Sequence, residues 1–405
     1  MERFIGVIGI IVLMGIGYIF STSRKDINPR IIGSALALQF VIALFVFKTG
    51  VGQNVLHAAT KGIEHVLNYS NAGISFIFGD WATQNIPLNF AVRVLPIIIF
   101  VGALMSVLFH LGIMQIIMRG LGFVLKRIIG ISAIESLAAS MNIFVGQDSA
   151  PFAVRPYLKT MPSSTLFLIM VTGMATIAGS ILAGLIGMGV GAQNLIVASF
   201  MGAPGGILMA KLLVPSDKND TDITPETIKI EETKHANIIE AAAVGAAEGV
   251  QLAIIIGATL IAFVSLIALL NGIVGGVGGW FGHDELTLQL IVGTIFSPIM
   301  FLIGIPWQDA VTAGSLFGEK VIVNEFVAYS SLVQMGAGAM SERATAIITI
   351  ALCGFANFSS IAIVLGGVGT LAPERRSELA AFGFRAVLAA SLANLISAAI
   401  VGIML

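Results

Sequence analysis

Cysteine is almost absent: Cys353 is the one thiol in 405 residues. A lone thiol excludes an intrachain disulfide and a thiolate metal cluster, which leaves helix packing as its role. Charge is nearly as scarce. Asp, Glu, Lys and Arg make up 11% of the chain, and 21 basic against 22 acidic residues leave a formal net charge of −1. A soluble protein of this length needs a far more charged surface. The balance also offers no basic face to a nucleic acid. His57, His65, His110, His235 and His283 are scattered and form no HExxH pattern, so metal-assisted hydrolysis has no support. No nucleophile–base pair stands out, and the chain does not read as an enzyme.

What fills the chain is apolar: 57% of residues are hydrophobic, with a mean hydropathy of +0.98. The runs are continuous, without the alternation of a membrane barrel. The fold class is therefore an all-α polytopic membrane protein. About eight transmembrane helices are predicted, at 4–21, 31–48, 94–117, 165–189, 194–213, 250–275, 344–368 and 380–404. The first run is long for a signal peptide and no small-residue cleavage site follows it, so it reads as a span. Gly50–Tyr69 carries His57, Lys61, Glu64 and His65 among apolar residues, the pattern of an interfacial helix. Trp81, Trp280 and Trp307 read as interface anchors. Residues 214–238, with eleven proline or charged residues from Pro215 to Lys234, form the soluble loop between two related halves.

Two stretches conflict with their apolar surroundings. One is Asn142-Ile143-Phe144-Val145-Gly146-Gln147-Asp148-Ser149-Ala150-Pro151 within 132–160; the other is Asn324-Glu325-Phe326-Val327-Ala328-Tyr329 within 287–333. Amides and carboxylates at membrane depth are tolerated where they face a cavity or a partner. Both regions therefore read as re-entrant hairpins. Arg24, Lys25, Arg30, Arg119, Lys126, Arg127, Arg155, Lys159, Arg375 and Arg376 then all fall on the cytoplasmic side. Lys320 and Arg343 fall on the outer side, against the charge bias.

A short pattern recurs after each hairpin: Gly173-Met174-Ala175-Thr176 and Gly354-Phe355-Ala356-Asn357. The first glycine lies 173 − 147 = 26 residues after Gln147, the second 354 − 325 = 29 after Glu325. Inverted repeats with interrupted helices are the plan of secondary transporters. Gln147 and Asn357 each offer a donor and an acceptor, Glu325 accepts, and Ser149, Ser359 and Ser360 offer hydroxyls. Neither tip holds an arginine to pair with an anionic solute, so the set suits a neutral, hydroxylated one. Phe355 and Phe358 are candidates to stack on a ring. Plainer readings stand beside these. Ser359 also reads as interhelical glue, Asn142 as the cap of a half-helix, and Asp148 as a tip residue turned to water.

Gly-Gln-x-x-Ala-Pro followed by Val154-Arg155-Pro156, then Ala175-Thr176-Ile177-Ala178-Gly179-Ser180, then Asn324–Tyr329, then Cys353-Gly354-Phe355-Ala356-Asn357-Phe358-Ser359-Ser360-Ile361 resembles the concentrative nucleoside transporter family. The likeness runs nearly the whole chain. It implies an elevator-type transporter and a homotrimer, with scaffold helices and a mobile unit holding both hairpins and the broken fourth and seventh helices. The chain then divides into N-terminal helices, mostly scaffold (1–120), a first inverted-repeat unit (121–213), a cytoplasmic loop (214–240), scaffold helix 6 (241–286) and a second unit (287–405).

The resemblance assigns the nucleobase to Gln147, Asp148 and Ser149, with Ile181 as an apolar contact. It assigns the ribose to Glu325, Asn357 and Ser360, with the Phe355 ring nearby. Sodium would sit on the side chains of Asn142 and Thr176 and the carbonyls of Val145 and Ile177, an all-oxygen set suited to a hard cation. Family members usually read Gly-Gln-[Thr/Ser]-Glu; here Gly146-Gln147-Asp148-Ser149 moves the carboxylate one residue earlier, which bears on base selectivity. Proton-coupled members tend to lack the asparagine of position 142. The expectation is sodium-coupled uptake of nucleosides such as uridine across a bacterial inner membrane by alternating access, with no organic cofactor. The alternatives are a sodium- or proton-coupled carrier of another neutral polar solute on the same fold, or a channel.

Overall fold

The computed structural model describes residues 2–79, 90–147, 149–217, 235–283, 285–336 and 338–405. Trp81, Asp148 and the loop from Lys218 to Lys234 lie outside them. Among the described residues the regular structure is helical throughout, with no strand. The chain opens with α1 (Glu2–Ile19) and α2 (Pro29–Lys48). The second starts where the Asn28 side chain accepts the Arg30 amide and Pro29 takes the first helical position. The amphipathic segment becomes α3 (Gly50–Asn68), followed by α4 (Ser70–Phe78), α5 (Phe90–Arg93) and α6 (Leu95–His110).

From here one order of elements runs twice. The first run is α7 (Ile113–Ile129), bounded by left-handed Gly112 and Gly130, then α8 (Ala133–Asn142) and the short α9 (Ala150–Ala153). It continues with α10 (Ser163–Ala175), α11 (Gly179–Gly187) and α12 (Ala192–Leu213). After α13 (Ile238–Gly279) come α14 (Leu288–Leu302), α15 (Trp307–Ile322), α16 (Glu325–Met335), α17 (Glu342–Leu352), α18 (Phe358–Leu371) and α19 (Arg376–Met404). Each run is a leading helix, a hairpin, a helix split in two, and a long helix.

Among the described residues six helices are long and apolar enough to cross a bilayer: Pro29–Lys48, Phe90–His110, Ser163–Gly187, Ala192–Leu213, Ile238–Gly279 and Pro373–Met404. The other two expected crossings are shorter, Phe4–Ile19 and the split pair α17–α18. Three details differ from the sequence reading. The region 287–333 is more than a hairpin: α14 leads into α15 through a 119° bend, and the reversal beside Glu325 lies between α15 and α16. Gly304, at φ 95, and Pro306 make that bend, whereas Pro298 is absorbed inside α14. Second, α13 extends well beyond 250–275, because Asn237 caps it by accepting the Glu240 amide and no proline interrupts it. Third, the expected span at 94–117 ends at His110, where left-handed Gly112 separates α6 from α7.

Burial separates the inner helices from the outer. In a span-length window 94% of α12 is buried, against 11% of α13. Helices apolar all round belong inside, and α10, α12 and α19 pack together there. The outer α13 lies along α6, where a Cβ on Gly245 would stand 2.5 Å from the Gly102 oxygen and one on Gly249 2.7 Å from Ile99 Cα. Only glycine permits that approach.

Matching bonds fasten the two hairpins. Glu135, third residue of α8, accepts the Thr165 hydroxyl from the first turn of α10 at 3.0 Å. Asp309, third residue of α15, accepts the amide and hydroxyl of Ser341 at the start of α17, at 3.2 and 2.6 Å. Glu135 completes a capping box with Ser132 and also receives Lys211 Nζ from α12 at 2.5 Å. Arg343 is structural: Nε and Nη2 donate to the carbonyls of Gly304 and Gly402 at 3.2 and 2.6 Å.

Candidate functional site

Both hairpin turns and both helix breaks converge. Gly146, at φ 84, turns the chain between α8 and α9, and the Phe144 carbonyl accepts the Gly179 amide at 2.8 Å where α10 gives way to α11. Gln147 Nε2 donates to Ser360 Oγ on α18 at 2.8 Å. The Phe355 amide, in the second break, donates to the Thr176 carbonyl in the first at 3.4 Å. Asn357 Nδ2 donates to Glu325 Oε2 at 3.0 Å, which joins the second break to the second hairpin. The first hairpin and the two breaks thus close a ring of contacts, and the second hairpin joins it through Asn357 and Glu325.

The local sequence sets each position. Asn324 caps α16 by accepting the Val327 amide, so Glu325 becomes its first residue. Asn357 caps α18 by accepting the Ser360 amide at 2.9 Å and also receives the Ser359 hydroxyl at 2.7 Å. The two Gly-x-Ala patterns are offset in the fold. Gly173 lies inside α10, and Thr176 ends that half-helix, whereas Gly354, at φ 125, lies in the break and Asn357 begins the next half.

Gln147, Glu325, Asn357 and Ser360 are buried, and Ile181 is buried on α11. Ser149 and Phe355 are half-buried. Phe358 does not join them: it is exposed and meets Phe384 edge to face at 5.8 Å, the N1 position of α18 turning it outward. Asp148 lies outside the described residues.

A second polar group sits directly below the first turn. Asn142 is the last residue of α8, so it is no helix N-cap. Its amide Nδ2 donates to Thr172 Oγ1 at 3.0 Å and to the Ile169 carbonyl at 3.4 Å. Thr176 Oγ1 donates to the Asn142 and Thr172 carbonyls at 2.9 and 2.8 Å, which leaves its lone pairs free to face elsewhere. Among the described residues, Asn142 Oδ1 and Gln147 Oε1 are buried acceptors without a donor. Both flank Gly173: a Cβ there would stand 2.8 Å from Gln147 Cβ and 3.2 Å from Asn142 Oδ1. Val145 and Ile177 lie in the adjoining turn and break, half-buried and buried. Among the described residues no three His, Cys, Asp or Glu side chains gather as a metal site.

Sequence reasoning missed three participants. Lys320 is fully buried, and its ammonium donates to the Ala351 carbonyl at 2.8 Å, at the carbonyl end of α17 where a cation is favoured. This explains its departure from the charge bias. Tyr329 donates its hydroxyl to the Thr349 carbonyl at 2.6 Å. Asn394, on α19, donates to the Ala175 carbonyl at 3.2 Å and to that of Cys353. A lone lysine or asparagine amid apolar residues carries no sequence signal of what it meets.

Residues 8–81 match the N-terminal domain of the Na+ dependent nucleoside transporters, and 194–402 their C-terminal domain. Residues 91–192 match a domain described as nucleoside recognition. An uncharacterised transporter of Haemophilus influenzae is 50% identical over 98% of this chain and 96% of its own. The nucleoside permease NupC of Helicobacter pylori is 42% identical, with the same coverage. The solved structure of CNTnw in an inward-facing substrate-bound state is 46% identical with a TM-score of 0.93, and covers 100% of this chain and 98% of that one. A domain match over more than half the chain and full-length relatives at this identity leave one conclusion: the chain belongs to the concentrative nucleoside transporter family, whose members are multi-pass membrane transporters rather than enzymes.

Proposed function

We propose that this chain takes up nucleosides such as uridine by sodium symport across a bacterial inner membrane, moving its substrate by an elevator-type alternation of access. The observation that carries the reading is the pair of unpartnered buried acceptors, Asn142 Oδ1 and Gln147 Oε1, whose residues both stand against Gly173. An orphaned buried oxygen is costly unless a ligand completes it. Asn142 Oδ1 with Thr176 Oγ1 and the Val145 and Ile177 carbonyls offers sodium an oxygen-only set. Gln147 Oε1 and Nε2 face the nucleobase, with Ser149 and Ile181 beside it and Asp148, the next residue in the sequence, also assigned to it. Glu325, Asn357 and Ser360 take the ribose hydroxyls, and Phe355 covers the site. The ribose, which both donates and accepts, exchanges one for one with the Gln147–Ser360 and Asn357–Glu325 bonds.

Sodium held between α8 and the first break stiffens the turn that carries Gln147. Nucleoside affinity rises as a result, and the coupling is reciprocal. In this reading the two inverted-repeat units, 121–213 and 287–405, carry the mobile unit. The early helices (1–120) and 241–286, which includes most of α13, form the scaffold of a homotrimer, and 214–240 is a cytoplasmic loop. Uridine binding with and without sodium tests the reading: affinity rises with sodium, and equal affinity in choline would sink the coupling. Radiolabelled uridine uptake into proteoliposomes under an imposed sodium gradient tests transport itself.

A further inference from the structure

We propose that Asn394 is the positioning residue that transmits sodium binding to the nucleoside site. It lies on α19, buried, outside both hairpins and both broken helices. Its amide donates to two carbonyls, Ala175 at the end of α10 and Cys353 at the end of α17. These groups are close counterparts in the two repeat runs: Ala175 is the last residue of α10 and Cys353 the C-cap of α17, both at a helix end where the intrahelical partner is lost. One side chain therefore holds both free ends.

The neighbouring backbone is built around this bond. Gly354 adopts φ 125, and a Cβ there would stand 2.7 Å from Asn394 Nδ2 and 2.9 Å from the Ala175 oxygen. The Phe355 amide reaches the Thr176 carbonyl at 3.4 Å beside it. Thr176 follows Ala175 and belongs to the sodium group; Asn357 lies four residues past Cys353 and belongs to the ribose group. Asn394 thus joins the backbone of one to the backbone of the other through a single side chain. Its Oδ1 remains buried without a partner. A packing residue would not carry that cost, since an apolar side chain of the same shape avoids it.

This rests on the sodium coupling proposed above. The experiment measures uridine affinity by calorimetry at saturating sodium and in choline, for wild type, Asn394→Leu and Asn394→Ser. Wild type gains affinity with sodium. In Asn394→Leu that gain shrinks by about fivefold or more, the low end of a typical coupling, while Asn394→Ser, which keeps one donor, falls between. A purely structural role lowers thermal stability and leaves the gain unchanged, and that outcome overturns the assignment alone. No gain in wild type overturns both the assignment and the coupling. If Asn394→Leu does not fold, as judged by size exclusion, Asn394→Ser decides: a gain equal to wild type overturns the assignment, and a reduced one supports it.

Discussion

Gln147 Nε2 and Ser360 Oγ meet at 2.8 Å across 213 positions of chain. The bond joins the first hairpin to the second broken helix, so it reports whether the two repeat runs are in register. Ser360→Ala removes an acceptor and leaves the Gln147 amide buried without it. Uridine affinity falls about tenfold, the cost of one such loss, and equilibrium binding measures it. An unchanged affinity places the ribose elsewhere.

Glu325→Gln keeps the shape of the side chain and replaces one carboxyl oxygen with an amide donor. Asn357 retains an acceptor at the same place, so the fold survives. Ribonucleosides lose about tenfold in affinity, since an oxygen that accepts from a ribose hydroxyl is replaced by an amide that can only donate. Analogues lacking both ribose hydroxyls lose less. Competition against radiolabelled uridine compares the two, and an equal loss for both argues against ribose recognition by this carboxylate.

Gly173→Ala tests whether the sodium and nucleobase groups share a wall. The added methyl would stand 2.8 Å from Gln147 Cβ and 3.2 Å from Asn142 Oδ1. Both groups must give way, at about 1–3 kcal/mol of overpacking. Uptake measured against sodium and against uridine shows both half-saturation concentrations rising together. A rise in only one would separate the sites.

Lys211 and Glu135 form a buried ion pair at 2.5 Å, each side chain 4% exposed. Lys211→Met alone strands the carboxylate and destabilises by about 3–5 kcal/mol, whereas adding Glu135→Gln recovers most of that. Thermal unfolding in detergent follows both variants. If the single and double changes cost the same, Glu135 is held by Ser132 and Thr165 without the lysine.

The hairpins were legible because polar groups cannot lie in hydrocarbon without a reason. Gln147 and Glu325 stand out against their neighbours, and the turn and helix start that carry them are where expected. The partners were not legible. Asn394 and Lys320 act through backbone carbonyls freed by helix breaks, and a carbonyl has no letter in a sequence. The offset between Gly173 and Gly354 was hidden for a related reason: the same Gly-x-Ala pattern sits inside one helix and just past the end of another. Phe358 reads as Phe355 does, yet it opens α18 and is turned outward while Phe355 stays in the break.

The long outer helix α13 also sets depth. In its later part exposed aliphatic side chains run from Ile254 to Val277, after scattered ones at Ile238, Ile239, Val244 and Val250, and Trp280 stands 83% exposed just beyond them. That band measures about 35 Å at the helical rise, close to the oily thickness of a bilayer of about 30 Å with modest tilt. Toward the other end Glu248 and Glu240 bring carboxylates into the helix, which halts further immersion. A thinner or thicker membrane would therefore tip this rod rather than slide it, and α6, locked to it through Gly102, Gly245 and Gly249, would tip with it.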